Sequence, residues 1–496
     1  MRIKGLAVIQ LGWSAGALSA QQPVLPSIPQ SLTLEAAVDL ALRYNRQFRQ
    51  VANDRSAAAW GVRSAYTELL LPSFSAGLGF GYQGAGSQAF LDVQLVQESA
   101  TIGSNYSLDL GWQLSGTTIT QPGLAKAQRR AVDAQIEGAT VNLRAAVQQL
   151  YLAALQAEAQ VQIATLQVTR NEEFLRLAQA RFQVGQATML DVRQAEVAKG
   201  EADVALLQAR QTVIVEKLRL FQQLGVPAPE DPNMVSLPDT FPVAEPTWSL
   251  SDLLQAADQE NPDVAVLEAR AAAARSSEKA AKAQWLPTLN FAAGWGGYSQ
   301  EYTNPDFLVE SARQGANSSY QQCDYSNTSW LNAGLAPLPC NSLLLTPEDE
   351  QEIIAGNEVF PFDFTSQPFS ARVSLSLPIF TQFGRETRIA EAAQQADDAV
   401  EEVESQRLQV RTNVSQAYYG LVAAYQAIGI QETSRVAAQE QLRLATERYR
   451  VGSGTFFELL DAQVAAQRAD ANYINAIYAY HRSIASLEAA VGRPLR

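Results

Sequence analysis

Residues suited to chemistry are scarce in this chain. Among 496 residues there is one histidine, His481, and two cysteines, Cys323 and Cys340. No nucleophile motif, metal-ligand cluster or Gly-rich phosphate loop after a strand accompanies them. A zinc centre at the cysteines would need two more ligands, and none has the usual spacing. No cofactor is expected, and without a nucleotide-binding motif any energy must come from a partner. The carboxylates that stand in a pattern are Asp191 and Glu458, each three residues after a threonine (Thr188, Thr455), the spacing of a helix capping box. Asp461, three residues beyond Glu458, falls on the same helix face.

The elements that would position these residues begin with an export signal. Arg2 and Lys4 precede a short apolar run, Gly5–Ala17, and Ala17-Leu-Ser-Ala20 offers a cleavage site, so residues 1–20 read as a signal peptide. Gln21 and Gln22 follow instead of a lipid-acceptor cysteine. In an oxidising compartment two cysteines seventeen positions apart suggest a disulfide, Cys323–Cys340, in an Asn-, Ser- and Tyr-rich segment that reads as a loop. The formal charge is −14 and falls to about −16 without Arg2 and Lys4, which argues against nucleic acid as a partner. No later run reaches the length of an apolar membrane helix. Entry into a membrane would therefore require β-structure.

The chain is written twice. Leu34–Asn45 corresponds to Leu250–Asn261, and Arg144–Pro227 aligns with Arg411–Pro494 at one constant offset, without a gap. Matched pairs include Tyr151/Tyr418, Arg181/Arg448, Gly225/Gly492 and Pro227/Pro494. Residues 21–246 form the first repeat and 247–496 the second, and the Pro-rich stretch 226–246 reads as a surface linker between them. Each copy runs helix, two strands, long helix, tight turn, shorter helix.

Four segments alternate apolar and small or polar residues: about 73–82, 105–115, 288–298 and 369–379. Tyr106, Leu108, Leu110, Trp112 and Leu114 oppose Ser107, Asp109, Gly111, Gln113 and Ser115, which gives one apolar and one wet face. Each run is about ten residues, enough to cross a bilayer when tilted. Four strands cannot close a barrel, because the smallest membrane barrels use about eight. Open edges in lipid would leave backbone groups unpaired at several kcal/mol each, so spanning strands imply several chains sharing one barrel.

Long helical hairpins follow the strand pairs, at about 120–224 and 382–492. A helix of roughly sixty residues would extend about 90 Å. Val414, Tyr418, Leu421, Tyr425 and Ile428 keep heptad spacing, whereas the first copy places Glu158 on the equivalent seam. Each hairpin turns at Arg181-Phe-Gln-Val-Gly185-Gln-Ala-Thr188 or Arg448-Tyr-Arg-Val-Gly452-Ser-Gly-Thr455. Glycine supplies the left-handed residue that ends one helix, and threonine caps the next.

The duplicated tip Arg-[Phe/Tyr]-x-x-Gly-x-x-Thr-x-x-[Asp/Glu], with the duplicated Leu-Pro-[Ser/Thr] lead into a strand, resembles the TolC-type outer-membrane efflux family over nearly the whole chain after the signal. The resemblance implies an α+β membrane protein. Its four transmembrane β-strands per chain would contribute to a shared trimeric 12-stranded β-barrel, continued by a long periplasmic α-helical coiled-coil barrel. It implies a homotrimer in the cell outer membrane, in contact with outer-membrane lipid and extending into the periplasm. Such a trimer serves as the passive exit duct of a tripartite efflux or type I secretion system. The partners would be a periplasmic adaptor (membrane fusion) protein and an inner-membrane pump of RND, ABC or MFS type. The tips, at Val184, Gly185 and Thr188 and at Val451, Gly452 and Thr455, would meet the adaptor. A periplasmic gate would draw on Asp191, Tyr449, Glu458 and Asp461. The best-known member has an arginine where this chain has Gly454, so the gate latch must be weaker or made elsewhere. The other reading, a periplasmic coiled-coil adaptor or scaffold without a pore, accounts for the hairpins but not for the strands. Residues 299–368 would then form an extracellular insert. Within it Thr346-Pro-Glu-Asp349 reads as the start of a short helix that Gly356 could end.

Overall fold

The computed structural model describes residues 28–90 and 93–495; the expected signal, residues 1–20, lies outside them. The first half runs α1 (Leu34–Tyr44), α2 (Arg46–Leu70), β1 (Ser73–Gln83), β2 (Gly86–Phe90), β3 (Val93–Glu98), β4 (Thr101–Leu114), α3 (Gly116–Gln183) and α4 (Met189–Leu224). The second runs α5 (Leu250–Glu260), α6 (Pro262–Lys282), β5 (Thr288–Tyr302), α7 (Asp306–Asn332), α8 (Pro347–Asn357), β6 (Thr365–Ser366), β7 (Ser370–Ser376), α9 (Gly384–Arg450) and α10 (Phe456–Val491). The chain divides into two compact units. One takes the chain up to Ala59, Ala127–Ala274 and Gln395–Arg496; the other takes Trp60–Lys126 and Arg275–Gln394.

The first unit is helical, and its two hairpins carry matching cores. Leu143, Val147, Tyr151 and Ala154 of α3 pack with Leu220, Phe221 and Leu224 of α4 and with Ala37, Val38 and Ala41 of α1. Val414, Leu421 and Ile428 of α9 pack with Tyr480, Ile484 and Leu487 of α10 and with Leu253 and Ala257 of α5. One joint is built twice. Asn45 ends α1 and donates its side-chain amide to the Gln223 carbonyl at 2.8 Å; Asn261 ends α5 and donates likewise to Ala490 at 2.8 Å. Both asparagines are buried, and these bonds satisfy carbonyls at the helix ends. The adjoining glycines, Gly225 and Gly492, adopt φ +76° and +96°. A Cβ at Gly225 would lie 2.4 Å from the Tyr44 carbonyl oxygen.

The charge on the first seam has a partner. Lys217 is buried in α4; its ammonium meets Glu158 at 2.7 Å and donates to the Val235 carbonyl at 2.8 Å. Beside it the Tyr151 hydroxyl lies 2.7 Å from Asp239 Oδ2, and burial, followed by the Asp239 carboxylate, raises its pKa. Val235 and Asp239 belong to the interrepeat stretch, so these polar contacts fasten it to the hairpin. In the second copy the equivalent positions are Tyr425 and Ile484, and the site is closed by aromatic packing, with Tyr425 and Tyr480 rings 6.0 Å apart.

The second unit holds the sheet. Its order is β1-β4-β5, with β6 and β7 both pairing the far side of β5, all antiparallel. Register is continuous and without bulges across β1, β4, β5 and β7. Phe74 faces Leu110, Leu78 faces Tyr106, Leu108 faces Trp295, Trp112 faces Phe291, and Phe291 faces Val373. Because paired residues share a face, one side of the sheet is apolar from edge to edge. The other side carries Ser75, Asp109, Asn105, Gln113, Ser374 and Arg372, interspersed with glycines.

Several boundaries depart from the sequence reading. The second strand starts earlier, at Thr101, and the fourth stops at Ser376, short of Pro378. Helix α3 begins at Gly116 and contains Pro122. Ser115 starts it by accepting from Thr118 N–H at 3.1 Å, and a Cβ at Gly116 would overlap the Ala283 carbonyl. Cys323 lies within α7, a 27-residue helix, and not in a loop. Weak helix formers are held there by the Cys323–Cys340 disulfide and by Arg313, which bridges α7 to Glu350 of α8 at 2.6 Å. Helix α8 opens at the Thr346/Asp349 capping box but runs through Gly356 to Asn357.

The glycines separate conformational from steric cost. Gly185 has φ +72° with open space around it, so Gly185→Ala should cost about 1 kcal/mol. Gly225→Ala adds overpacking against Tyr44 and should cost roughly 1–3 kcal/mol more. Denaturation midpoints of the two variants in one detergent test this; equal losses would mean that the joint yields freely.

Candidate functional site

The candidate side chains lie where the two hairpins turn, around a core shared by all four long helices. Phe174 and Ala178 of α3, Val192 and Ala195 of α4, Leu442 and Tyr449 of α9, and Phe456, Leu459 and Ala462 of α10 pack together there. Each turn follows the same plan. Gly185 N–H donates to Phe182 O at 3.0 Å and Gln186 N–H to Arg181 O at 2.8 Å; Gly452 and Ser453 repeat this with Tyr449 and Arg448 at 3.2 and 2.9 Å. The leading arginine folds back over its own turn in both copies, Arg181 onto the Gln186 carbonyl at 3.1 Å and Arg448 onto Ser453 at 3.3 Å. Thr188 and Asp191 complete a reciprocal capping box, with Thr188 N–H 2.8 Å from Asp191 Oδ2 and Asp191 N–H 3.2 Å from Thr188 Oγ1. Thr455 caps Glu458 N–H at 3.2 Å. The Glu458 carboxylate instead faces Arg448, 3.4 Å away.

The four gate candidates therefore differ in setting. Tyr449 is 3% exposed and lies inside the shared core, edge-on to Phe456, with the Arg181 guanidinium 4.5 Å from its ring centroid. Burial raises its phenol pKa, the Asp191 charge adds to the rise, and Arg181 opposes it. Asp191 is thus brought electrostatically to Tyr449 while it caps α4. Glu458 and Asp461 are exposed on α10, and only Glu458 has a cation beside it. Of the tip residues Val184 and Val451 project outward, as do Leu190 and Phe457. Gly454 approaches Arg448 so closely that a Cβ would meet the Arg448 Cβ at 3.1 Å. The contact absent from the sequence reading is Arg181 on Tyr449, which stacks one hairpin on the other. Its signal was the arginine that opens both copies of the turn motif.

Among the described residues no group of three or more His, Cys, Asp or Glu is placed to hold a metal ion, and no helix is long and apolar enough to cross a membrane. Helical hairpins joined to a small antiparallel sheet, built twice in one chain, define the fold class of outer-membrane channels. The open-state MtrE outer membrane channel of Neisseria gonorrhoeae superposes with a TM-score of 0.66 at 19% identity, covering 93% of this chain and 89% of that one. The outer membrane protein VceC of Vibrio cholerae gives 0.64 at 16%, covering 93% and 97%. In sequence, the pyoverdine export outer membrane protein OpmQ of Pseudomonas putida is 28% identical over 295 residues, 53% of this chain. That match spans only 58% of the relative's length. The outer membrane efflux protein model matches residues 37–226 and 253–493, and the chain belongs to that family, whose members are outer-membrane channels and not enzymes.

Since the folded state holds the Tyr449 proton more tightly than the unfolded chain, this contribution to stability is complete below the unfolded value near pH 10. It is lost as pH rises toward the higher folded pKa. Asp191→Asn should bring the Tyr449 titration down, read as the ultraviolet difference against Tyr449→Phe. An unmoved titration would show that the carboxylate does not reach the phenol.

Proposed function

We propose that the chain is one protomer of a trimeric outer-membrane channel that serves as a passive exit duct and performs no catalysis. The observation that carries this is the sheet, apolar from edge to edge on one side and polar on the other, with β1 and β7 each paired on one side only. Three copies would supply twelve principal strands, enough to close a barrel with the apolar side to lipid and the glycine- and serine-rich side to water. The duplicated hairpins continue the wall, and the exposed Val184 and Val451 at their turns are the surface offered to a periplasmic adaptor. The pump behind it would be of RND, ABC or MFS type. Likeness to a pyoverdine exporter favours small-molecule efflux over protein secretion. A poreless scaffold would have no use for an apolar sheet face.

The gate reading rests on Glu458 and Asp461, whose charges three copies would crowd at a narrow mouth. With Arg448 already beside Glu458, Asp461 should dominate. In planar bilayers the purified protein should conduct, and Asp461→Asn with Glu458→Gln should raise the half-blocking concentration of a divalent cation by about tenfold. Glu458→Gln alone should do less. Conductance with unchanged block removes these residues from the gate; absence of conductance removes the channel.

A further inference from the structure

The apolar side of the sheet ends at a polar step. Ser104 of β4 and Ser299 of β5 are paired across the strands on that side, their hydroxyls 2.9 Å apart, and they are only 3% and 4% exposed. They are covered by the chain that leaves α8. Asn357 grips the backbone of Tyr302 with both ends of its amide, at 2.9 and 2.8 Å. Phe360 N–H donates to Glu301 at 3.0 Å, and the Pro361 carbonyl accepts from the Ser104 hydroxyl. Three phenylalanines at alternate positions then lie on the sheet. Phe360 and Phe362 sit edge-on to Phe80 at 6.3 and 6.4 Å, and Phe364 sits edge-on to Tyr106 at 4.9 Å. Beyond Phe364 the chain joins the sheet as β6 beside Tyr298 and Gly297.

This strap hides polar groups beneath it and turns Phe360 and Phe362 outward between the exposed carboxylates Glu358 and Asp363. Phe362 is 67% exposed, Phe360 is also exposed, and Tyr82 stands bare at the end of β1. Exposed rings on a soluble face would be costly, whereas aromatic rings are favoured where hydrocarbon meets headgroups. The hydroxyl pair and strap backbone would be costly in bare lipid, and their mutual hydrogen bonds remove that cost. The apolar band of β1, β4, β5 and β7 runs directly into these rings without a charged residue between them on that side.

We propose that residues 357–364 form a strap on the outside of the barrel, in which Phe360 and Phe362 contact lipid acyl chains at the outer-leaflet boundary. The root of the long insert is thereby fixed over lipid and not over the pore. This rests on the reading that the sheet crosses the outer membrane. The only cysteines in the sequence are joined in the disulfide, so single introduced cysteines can be spin-labelled in the full-length protein in phospholipid vesicles. The positions are Phe362→Cys, with Phe360→Cys as a second site should the first fold poorly, Val373→Cys in the apolar band, and Asn105→Cys on the opposite face at the height of the strap. Collisions with oxygen should exceed those with a water-soluble nickel complex several-fold at 362, 360 and 373, and the order should invert at 105. A lipid reading at 373 with a water reading at 362 and 360 overturns the strap and leaves the membrane-spanning sheet intact. Low collision rates with both reagents at 362 and 360 would mean cover by protein and would equally overturn the strap. A water reading at 373 overturns the membrane reading itself.

Discussion

On the proposed membrane crossing, backbone hydrogen bonding in a solvent without water is the constraint on which this molecule depends. The sheet has an apolar side and ends at β1 and β7, each of which pairs with another strand on one side only among the described residues. No arrangement of four strands removes those open edges, and covering them with helix would bury the apolar side that makes the sheet fit a membrane. Pairing one chain's β1 with another's β7 resolves both problems, and a closed ring of chains follows. On the proposed membrane crossing, trimer and pore both follow from the two-sided sheet.

Duplication gives the helical unit two hairpins with matching joints. The Asn45–Gln223 and Asn261–Ala490 joints fix each short helix to the end of its hairpin by the same bond length, and the paired glycines allow the chains to approach. The copies have diverged where the requirements differ. The first hairpin sinks Lys217 against Glu158 and a carbonyl of the interrepeat stretch, while the second closes the same place with Tyr425 and Ile484. At the tips the divergence is directional. Arg181 crosses to the ring of Tyr449, whereas Arg448 stays with its own Glu458. The shared core is thus asymmetric about the duplication, with the buried phenol on one side and the exposed acids on the other.

Much of this was legible in the residues. Period-two alternation located all four principal strands, and the pleat makes that signal independent of context. The duplicated Arg…Gly…Thr…Asp/Glu turn was legible because each residue answers a local demand, a left-handed turn or a helix cap. Less was visible where tertiary contacts override propensity. Residues 306–332 contain many poor helix formers and read as loop, yet the disulfide and Arg313 hold them helical. The first hairpin read as starting at about 120, yet α3 starts at Gly116, which can pack against the Ala283 backbone. Glu158 looked like a flaw in a heptad, because its partner Lys217 lies 59 positions away on another helix. The setting of Tyr449 was hidden for the same reason: Arg181 comes from the other copy.

The most direct test is covalent capture of the closing strand pair. Chains with one cysteine on the outer edge of β1 are mixed with chains carrying one on β7, or a single chain carries both, with pairs scanned along the two strands. If neighbours complete the barrel, some registers should yield disulfide-linked ladders that end at three chains in the membrane and are absent from unfolded protein. Monomers at every register, with the β1 and β7 edges protected inside a single chain, would contradict the account.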